Sequence, residues 1–267
     1  LRQSSISVCS FDRSDLTGIS IEESSLARCS LVQCAMKSAS LRRTALTAVD
    51  FDGTDLSSTM FHQTALTLCT LNRSNLSEAI LHQSVALATS FDDATLQRLI
   101  LDRAYLTACS LKRADSKTMK AEGSRLFLAR LEGADLGRAT LHSSPLVAVS
   151  LNDANLEESD LEGNFLFLVS AHRARLKGAK LARALLLGVS LVSANLDEAD
   201  LTESALRGLL CWSASFDRTD MGHALLRWVD FAEASLERTD LSGVDPRWTR
   251  FGGDRHPKIV RWLLGTT

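Results

Sequence analysis

A large apolar residue recurs at every fifth position of this chain for about 240 residues, and no insertion shifts the phase. The series begins with Leu1, Ile6, Phe11, Leu16 and Ile21 and continues to Leu236 and Leu241. The residue two places earlier is usually small, as at Cys9, Ser14, Ser24, Ala134, Ala154 and Ala174. A period of five matches neither the 3.6 residues of a helix nor the two of a flat strand. The chain must therefore turn at regular intervals, and this repeat determines its architecture.

A second periodicity, of twenty residues, predicts how many sides each turn of the chain has. Five residues per side and four sides give a coil of twenty residues, and stacked coils pair their backbones as β-strands do, about 4.8 Å apart. One column of small positions is bulkier than the others, which are mostly Ala, Ser and Thr. It contains Cys9, Cys29, Val49, Cys69, Thr89, Cys109, Ala129, Val149, Val169, Val189, Leu209 and Val229. One side is therefore expected to pack differently from the other three.

The clearest copies of the motif are Ala134-Asp135-Leu136, Ala154-Asn155-Leu156, Ala194-Asn195-Leu196 and Ala199-Asp200-Leu201. On these residues the chain resembles the pentapeptide-repeat proteins, whose motif is A(D/N)LXX. The resemblance covers residues 1–245, and nearly fifty copies in one phase make it specific. It implies an all-β fold, a right-handed quadrilateral β-helix of about 12 coils and about 58 Å in length. Ser and Thr often replace Ala in the first half, which we interpret as drift within the same fold.

The repeat is weakest between residues 116 and 121. Ser116 and Ala121 occupy large-residue positions, whereas Met119 occupies a small one. Met119 beside Ala121 is interpreted as an exchange of volume, which protein cores tolerate. Nothing in the sequence compensates for Ser116, so we expect a local packing defect here in preference to a bend of the rod.

No residue pattern in the sequence supports catalysis or a cofactor. The chain has no G-x-S-x-G nucleophile motif, no phosphate-binding glycine loop and no H-E-x-x-H zinc motif. Five of the six cysteines lie at inward small positions and Cys211 lies at an inward large one, which predicts free thiols that fill the core. His62 and His82 share an outward column, but no Cys or carboxylate completes a ligand set at either coil, so no metal site is predicted.

An outward-facing apolar stripe is the strongest candidate for a functional surface. It lies at positions 5, 7 and 8 plus multiples of twenty, and only from mid-chain onward. The equivalent positions near the start are Ser5, Ser7, Ser25, Ala27 and Thr47. Contiguous exposed apolar surface usually indicates an interaction site. The predicted protein-binding residues are Tyr105, Phe127, Leu128, Val147, Phe165, Phe167, Leu168, Leu185, Leu187 and Trp228, and Leu87 and Leu225 extend the stripe.

Acidic residues gather on a different side of the second half and define an alternative site. They are Glu157, Glu158, Asp160, Asp197, Glu198, Asp200, Asp217 and Asp220. Cations such as Lys177, Lys180 and Arg218 are interspersed, and they are expected to pair with the carboxylates of adjacent coils. The family resemblance implies a function for this side, because some members imitate duplex DNA and bind DNA gyrase. The interspersed cations weaken that interpretation.

Residues 246–267 are predicted to cap the last coil. Pro246 lacks a backbone donor, and Pro257 and Gly265 frame a short helix. A solenoid has to cover its last coil or it stacks on other molecules. In some family members such a helix also forms a dimer, so a homodimer is an open alternative to a cap. The apolar residues that would serve either role are Trp248, Ile259, Trp262 and Leu263.

Together these features predict a non-catalytic scaffold that binds another protein, of unidentified kind, through the apolar stripe. The net charge of −2 argues against direct nucleic-acid binding, and no stretch approaches the ~20 apolar residues of a membrane span. The resemblance implies a bacterial, cytoplasmic protein. The absence of an initiator Met favours a module of a larger protein, of the effector or secretion-system accessory type. If it were part of an effector, it would be secreted into a host or target cell. The alternative function is a DNA mimic that modulates DNA gyrase through the acidic side.

Overall fold

A computed structural model of the protein describes residues 1–251 and shows a four-sided solenoid of about 12 coils. Each coil lies in parallel register beside the residues twenty positions further along the chain. The Leu31 N–H donates to the Asp50 carbonyl oxygen at 2.7 Å, and the Asp50 N–H donates to the Cys29 carbonyl oxygen at 3.0 Å. The predicted all-β fold is therefore confirmed. The predicted C-terminal helix, with Ile259, Trp262 and Leu263, lies outside the described residues.

Short strands form on two sides of the coil and, at the end of the rod, on a third. They are β1 (Ser5–Ser7), β2 (Ser20–Glu22), β3 (Ser25–Ala27), β4 (Ser40–Arg42), β5 (Ala45–Thr47), β6 (Met60–His62), β7 (Ala65–Thr67), β8 (Ile80–His82), β9 (Val85–Leu87), β10 (Ile100–Asp102), β11 (Tyr105–Thr107), β12 (Lys120–Glu122), β13 (Arg125–Phe127), β14 (Leu146–Val147), β15 (Phe165–Phe167), β16 (Leu185–Leu187), β17 (Ala205–Arg207), β18 (Leu225–Arg227), β19 (Asp230–Phe231), β20 (Asp245–Arg247) and β21 (Arg250–Phe251).

Three parallel sheets result, two of them large. Thirteen strands, from β1 and β3 through β18 and β20, form a sheet along the whole rod, which we name the long sheet. Six strands, from β2 to β12, form the short sheet on the preceding side of the coil. β19 and β21 pair on the side that follows the long sheet. The remaining coil contacts are isolated parallel bridges.

The five-residue period arises from one inward residue and one sharp corner per side. The large residue of each repeat is buried in the single core, as Leu46, Phe51, Leu56 and Phe61 show. The residue two places after it has a positive φ at every repeat from Gln3 to Trp248, and most of these residues are not glycine. This left-handed conformation is costly for L-residues. Its recurrence shows that the pairing with neighbouring coils enforces the corner.

Polar residues of the repeat have structural partners that explain their positions. Inward Ser and Thr side chains donate either to a carbonyl oxygen of the previous coil, as Thr64 Oγ1 does to the Leu41 oxygen at 2.9 Å, or to one of their own turn, as Ser204 does to the Leu201 oxygen at 2.6 Å. The Asp or Asn before each large residue accepts a hydrogen bond from the N–H two residues later, as Asp55 Oδ1 does from Ser57 at 3.0 Å. The buried Ser and Thr at the small positions of the first half are thus compatible with the same fold, because burial does not leave them unpaired.

The bulkier column that runs from Cys9 to Val229 follows the long sheet. On sides that close in a turn, the small residue donates its N–H to the carbonyl oxygen three residues earlier, as Ser74 does to Leu71 at 3.3 Å. No such bond closes the long-sheet side at any described coil. The more extended backbone accommodates Cys, Val and Leu there, so one side packs differently, as predicted.

The short sheet ends next to the weak point predicted at Ser116. After Glu122 the same side closes in turns, beginning with the bond from the Ser144 N–H to the Leu141 oxygen at 3.1 Å. Ser116 is fully buried and its hydroxyl has no hydrogen-bond partner. Met119 and Ala121 are also fully buried, as an exchange of volume requires. The predicted local defect is therefore present.

The coil pairing extends beyond residue 245, where the repeat was predicted to end. Pro246 pairs with Leu226 in the long sheet, and Phe251 pairs with Phe231. Proline has a φ that extended backbone accepts, so the missing donor does not end the ladder. Trp248 consequently belongs to a regular corner of the solenoid, which corrects its prediction as part of a separate cap.

Candidate functional site

The apolar stripe lies on the outer surface of the long sheet and on the corner that follows it. The middle residue of each three-residue strand points into the core and its two neighbours point outward. Thr107, Phe127, Val147, Phe167 and Leu187 are successive partners in the parallel register. The structure therefore brings nine of the ten predicted residues, from Tyr105 to Leu187, into one patch. Trp228 lies on the same corner, two coils further along.

The stripe combines well-exposed side chains with others that cover one another. Tyr105 and Phe127 are each 44% exposed and Leu168 is 55% exposed. Phe165 and Phe167 are half-buried, and their rings stack with centroids 6.0 Å apart and planes within 8°. Because backbone pairing with the neighbouring coils fixes each strand, this surface is ordered before any partner binds. Such order reduces the entropic cost of binding.

Polar residues and a proline limit the stripe. Arg125 lies in the outward column between Tyr105 and Phe165, and its guanidinium carbon is 5.5 Å from the Tyr105 ring centroid, a cation–π contact. Pro145 occupies the next rung and leaves β14 only two residues long. Arg207 and Arg227 follow Leu187 in the other outward column and end the contiguous patch.

Two exposed apolar residues near the end of the rod, Leu210 and Trp212, are missing from the predicted sites, and a third, Trp248, was predicted only as a cap or dimer residue. Leu210 and Trp212 lie on the side that follows the long sheet, and both are at least half exposed. Trp248 is exposed and stacks on Trp228, with ring centroids 5.2 Å apart and planes within 8°. The outward positions of Leu210 and Trp212, and the twenty-residue spacing of the two stacked tryptophans, were the signals that could have identified them.

Every residue of the predicted acidic site makes a contact within the rod. Glu158 bonds to Arg138 at 2.7 Å, and Glu198 bonds to Arg218 at 3.1 Å. Asp197 accepts hydrogen bonds from the Ser215 hydroxyl and the Asp217 N–H, and Asp217 accepts them from the Ser235 hydroxyl and the Glu237 N–H. Asp160, Asp200 and Asp220 each accept a backbone N–H of their own turn, and Glu157 lies 3.7 Å from Arg175. The main role of these carboxylates is thus to accept hydrogen bonds and form ion pairs within the rod.

The stacked histidines have a carboxylate neighbour that the sequence analysis did not anticipate. His62 and His82 stack with ring centroids 4.9 Å apart, and His82 Nδ1 lies 2.5 Å from Asp102 Oδ2, on the next rung of the same column. Desolvation, followed by the proximity of His82, lowers the pKa of His62. Residues 1–251 contain no group of three or more His, Cys, Asp or Glu that could hold a metal ion.

All six cysteines are free thiols, as predicted, and five of them are buried. Cys9 is exposed, contrary to its predicted place in the core, because it lies in the first coil of the stack. Burial raises the pKa of the Cys109 thiol to about 11 and also raises that of Cys211. Since the thiolate is the reactive form, these buried cysteines act as packing residues.

The repeat, the four-sided coil and the outward columns agree with two family models. Residues 4–81 match the model described as "Pentapeptide repeat region", and residues 124–163, 172–208 and 213–245 match "Pentapeptide repeats (8 copies)". The two models together match most of the chain. The chain belongs to the pentapeptide-repeat family, whose members are typically structural or binding proteins.

Solved structures with the same repeat resemble this chain at low identity. HetL, a protein involved in heterocyst differentiation regulation in the cyanobacterium Nostoc sp., is 23% identical, with 88% of each chain covered and a TM-score of 0.34. Trypsin-treated QnrB1, a plasmid-mediated fluoroquinolone resistance protein, is 14% identical, with 97% of each chain covered and a TM-score of 0.32. No curated protein matches the sequence. Within residues 1–251, no helix is long and apolar enough to cross a membrane.

Proposed function

We propose that this protein is a non-catalytic scaffold that binds another protein through its apolar stripe. The main support is that the fold does not require the stripe. The first half of the long sheet has the same strands and register with Ser5, Ser25 and Thr47 at the equivalent outward positions. The second half instead exposes Phe127, Leu168 and other large apolar side chains, and such contiguous exposure is typical of interaction sites.

The dimensions of the stripe favour a segment of a partner over a second complete rod. The contiguous part covers six coils, from Val85 to Leu187, which is about 29 Å at ~4.8 Å per coil. With the width of one short strand, about 10 Å, it offers roughly 300 Å². A stable interface between two folded proteins buries about 800 Å² on each side. A helix or an extended segment lying along the rod fits the smaller area.

Replacing Phe127 and Phe167 by Asp tests the proposal. Both side chains point outward, so the charges are expected to disrupt the apolar surface without unfolding the rod. The measurement is capture from a bacterial lysate with the unchanged chain and the double variant, read by mass spectrometry. We expect at least one protein that the unchanged chain retains and the Phe127→Asp/Phe167→Asp variant loses.

A matched control uses the same outward column in the first half. Ala27→Asp/Thr67→Asp places two charges at the same spacing on the same sheet, outside the stripe. This control is expected to capture the same proteins as the unchanged chain. Equal capture by all three chains would contradict a role for the stripe.

The same experiment separates the scaffold from the alternative function through the acidic side. Gyrase subunits that all three chains retain, and that high salt releases, would favour the DNA mimic. In that case Asp197→Asn/Glu198→Gln/Asp200→Asn should abolish retention. The asparagines still accept the hydrogen bonds that Asp197 and Asp200 receive, so this variant is expected to fold.

A further inference from the structure

The residues of positive φ that follow the long sheet form a corner column, and near the C-terminal end of the apolar stripe one coil has no side chain filling its place in this column. From coil to coil this column contains Leu128, Ala148, Leu168, Gly188, Gly208, Trp228 and Trp248. The Leu168 side chain covers Gly188, because a Cβ at residue 188 would lie 3.0 Å from Leu168 Cδ2. A Cβ at residue 208 would meet only the Gly188 nitrogen, at 3.9 Å. The space outside Gly208 is therefore open.

Trp228 forms the opposite wall of this space. One face of its indole stacks on Trp248, the next rung on the far side from Gly208, and the side chain is 60% exposed. Its other face is consequently turned toward Gly208. Two coil spacings, about 10 Å, separate the level of Gly188 from that of Trp228. One coil level between them is therefore unoccupied, and a single planar side chain would fit there, about 4.8 Å from each wall.

The cation beside this slot has no partner. Arg207, which precedes Gly208 and points outward from the long sheet, is exposed, and its guanidinium makes no hydrogen bond or ion pair with any described residue. The next arginine of the column differs, because Arg227 bonds to Asp245 Oδ2 at 2.8 Å. Leu210, on the adjacent side of the corner, adds an exposed apolar contact. The slot thus offers an indole face, an aliphatic wall and one free guanidinium.

We propose that the slot over Gly208 binds one aromatic side chain of the partner protein, and that Arg207 pairs with a carboxylate next to that aromatic residue. The proposal rests on the proposed scaffold function and specifies the partner: a segment with an aromatic residue flanked by acidic ones. Aromatic rings prefer offset stacking on another ring, which Trp228 permits. An arginine guanidinium binds a carboxylate with two parallel hydrogen bonds. A basic flanking residue would be repelled at the same position.

Two blocked tripeptides serve as probes: acetyl-Glu-Trp-Glu-amide and acetyl-Lys-Trp-Lys-amide. The readout is the indole N–H resonance of Trp228 in the ¹⁵N-labelled protein, assigned with Trp228→Phe. We expect the acidic peptide to shift this resonance saturably, in the millimolar range, with at least fivefold weaker binding of the basic peptide. Arg207→Gln should remove most of that difference. No shift with the acidic peptide, or equal shifts with both, would overturn the proposal.

Gly208→Leu should block the slot and abolish the shift. The chain shows that this corner accepts leucine, since Leu128 and Leu168 have the same positive φ in the same column. Gly163→Leu is the matched control, because Gly163 also has a positive φ and open space but lies on another corner. Unchanged binding by the Gly208→Leu variant would also overturn the proposal.

Lysate capture distinguishes the failure of this proposal from that of the scaffold function. If Phe127→Asp/Phe167→Asp abolishes capture while Gly208→Leu leaves it intact, the stripe is confirmed and the slot is wrong. If the peptide binds the slot but the stripe variant retains every protein, the scaffold function is wrong and the slot stands.

Discussion

The first half of the rod, residues 1–122, and the second half, residues 124–251, build the same coil in two different ways. In the first half two sides are extended sheets, and Ser, Thr and Cys fill many inward small positions. In the second half only the long sheet continues, and Ala is the commonest residue at those positions. Different family models match the two halves. The contiguous apolar stripe on the long sheet begins only at Val85, near the end of the first half, and most of it lies in the second half.

This difference separates what the fold requires from what it does not. Both halves retain the large inward residue, the positive φ at each corner and the twenty-residue register. The identity of the small residue and the number of extended sides vary together between them. The outward residues of the long sheet vary independently of its pairing, which continues unchanged from β1 to β20. The stripe is therefore a surface property added to a frame that is stable without it.

The largest stability difference between the halves is expected on removal of an inward serine hydroxyl. Ser84 Oγ accepts the Thr64 N–H at 3.1 Å and donates to the Phe61 oxygen at 3.1 Å. Ser84→Ala leaves that buried N–H unpaired, which costs about 1–3 kcal/mol. Ser204, in the same column of the second half, donates only to the Leu201 oxygen at 2.6 Å. Ser204→Ala should therefore cost less, roughly 0.5–1 kcal/mol.

Urea unfolding followed by circular dichroism measures both variants. The comparison depends on the closing turn of the second half, where the Ala184 N–H donates to the Leu181 oxygen at 3.1 Å. This bond satisfies the donor that corresponds to the Thr64 N–H of the first half. Equal losses in the two variants would show that the serine hydroxyls play the same role in both halves.

A smaller effect of opposite sign is expected at the junction of the halves. The buried hydroxyl of Ser116 has no hydrogen-bond partner, so Ser116→Ala removes an uncompensated polar group. We expect a gain of about 1 kcal/mol, measured as a higher urea midpoint. Ser124→Ala is the control, because Ser124 Oγ donates to the Leu101 oxygen at 3.1 Å and its loss should destabilise the protein. A destabilised Ser116→Ala variant would show that the junction is not a packing defect.

Particular residues show what could be predicted from the sequence. The inward large residues, the bulky column from Cys9 to Val229 and the defect at Ser116 follow from periodicity, because each depends on position in the repeat alone. The location of the stripe on one side follows from the same arithmetic. The point at which the coil pairing ends does not follow from periodicity. Pro246 occupies an extended position, which the lack of a backbone N–H only weakly disfavours.

Contacts between side chains on neighbouring coils depend on side-chain geometry and could not be predicted from the sequence. The two residues His82 and Asp102 share one outward column, but their hydrogen bond also depends on their side-chain rotamers. The slot at Gly208 depends on the direction in which Leu168 and Trp228 lean, which spacing does not determine. The partners of the acidic residues likewise depend on individual contacts, such as Glu158 with Arg138.

The most direct test of the central claim gives the second half the surface of the first. Phe127→Thr/Phe167→Thr converts two stripe residues to the residue found at Thr47 and Thr67 in the same column. The measurement is the free energy of unfolding in urea. If the fold does not require the stripe, the double variant should unfold within about 1 kcal/mol of the unchanged protein, the span of β-propensity differences. A loss of several kcal/mol would contradict the account and show that the stripe is part of the structural core.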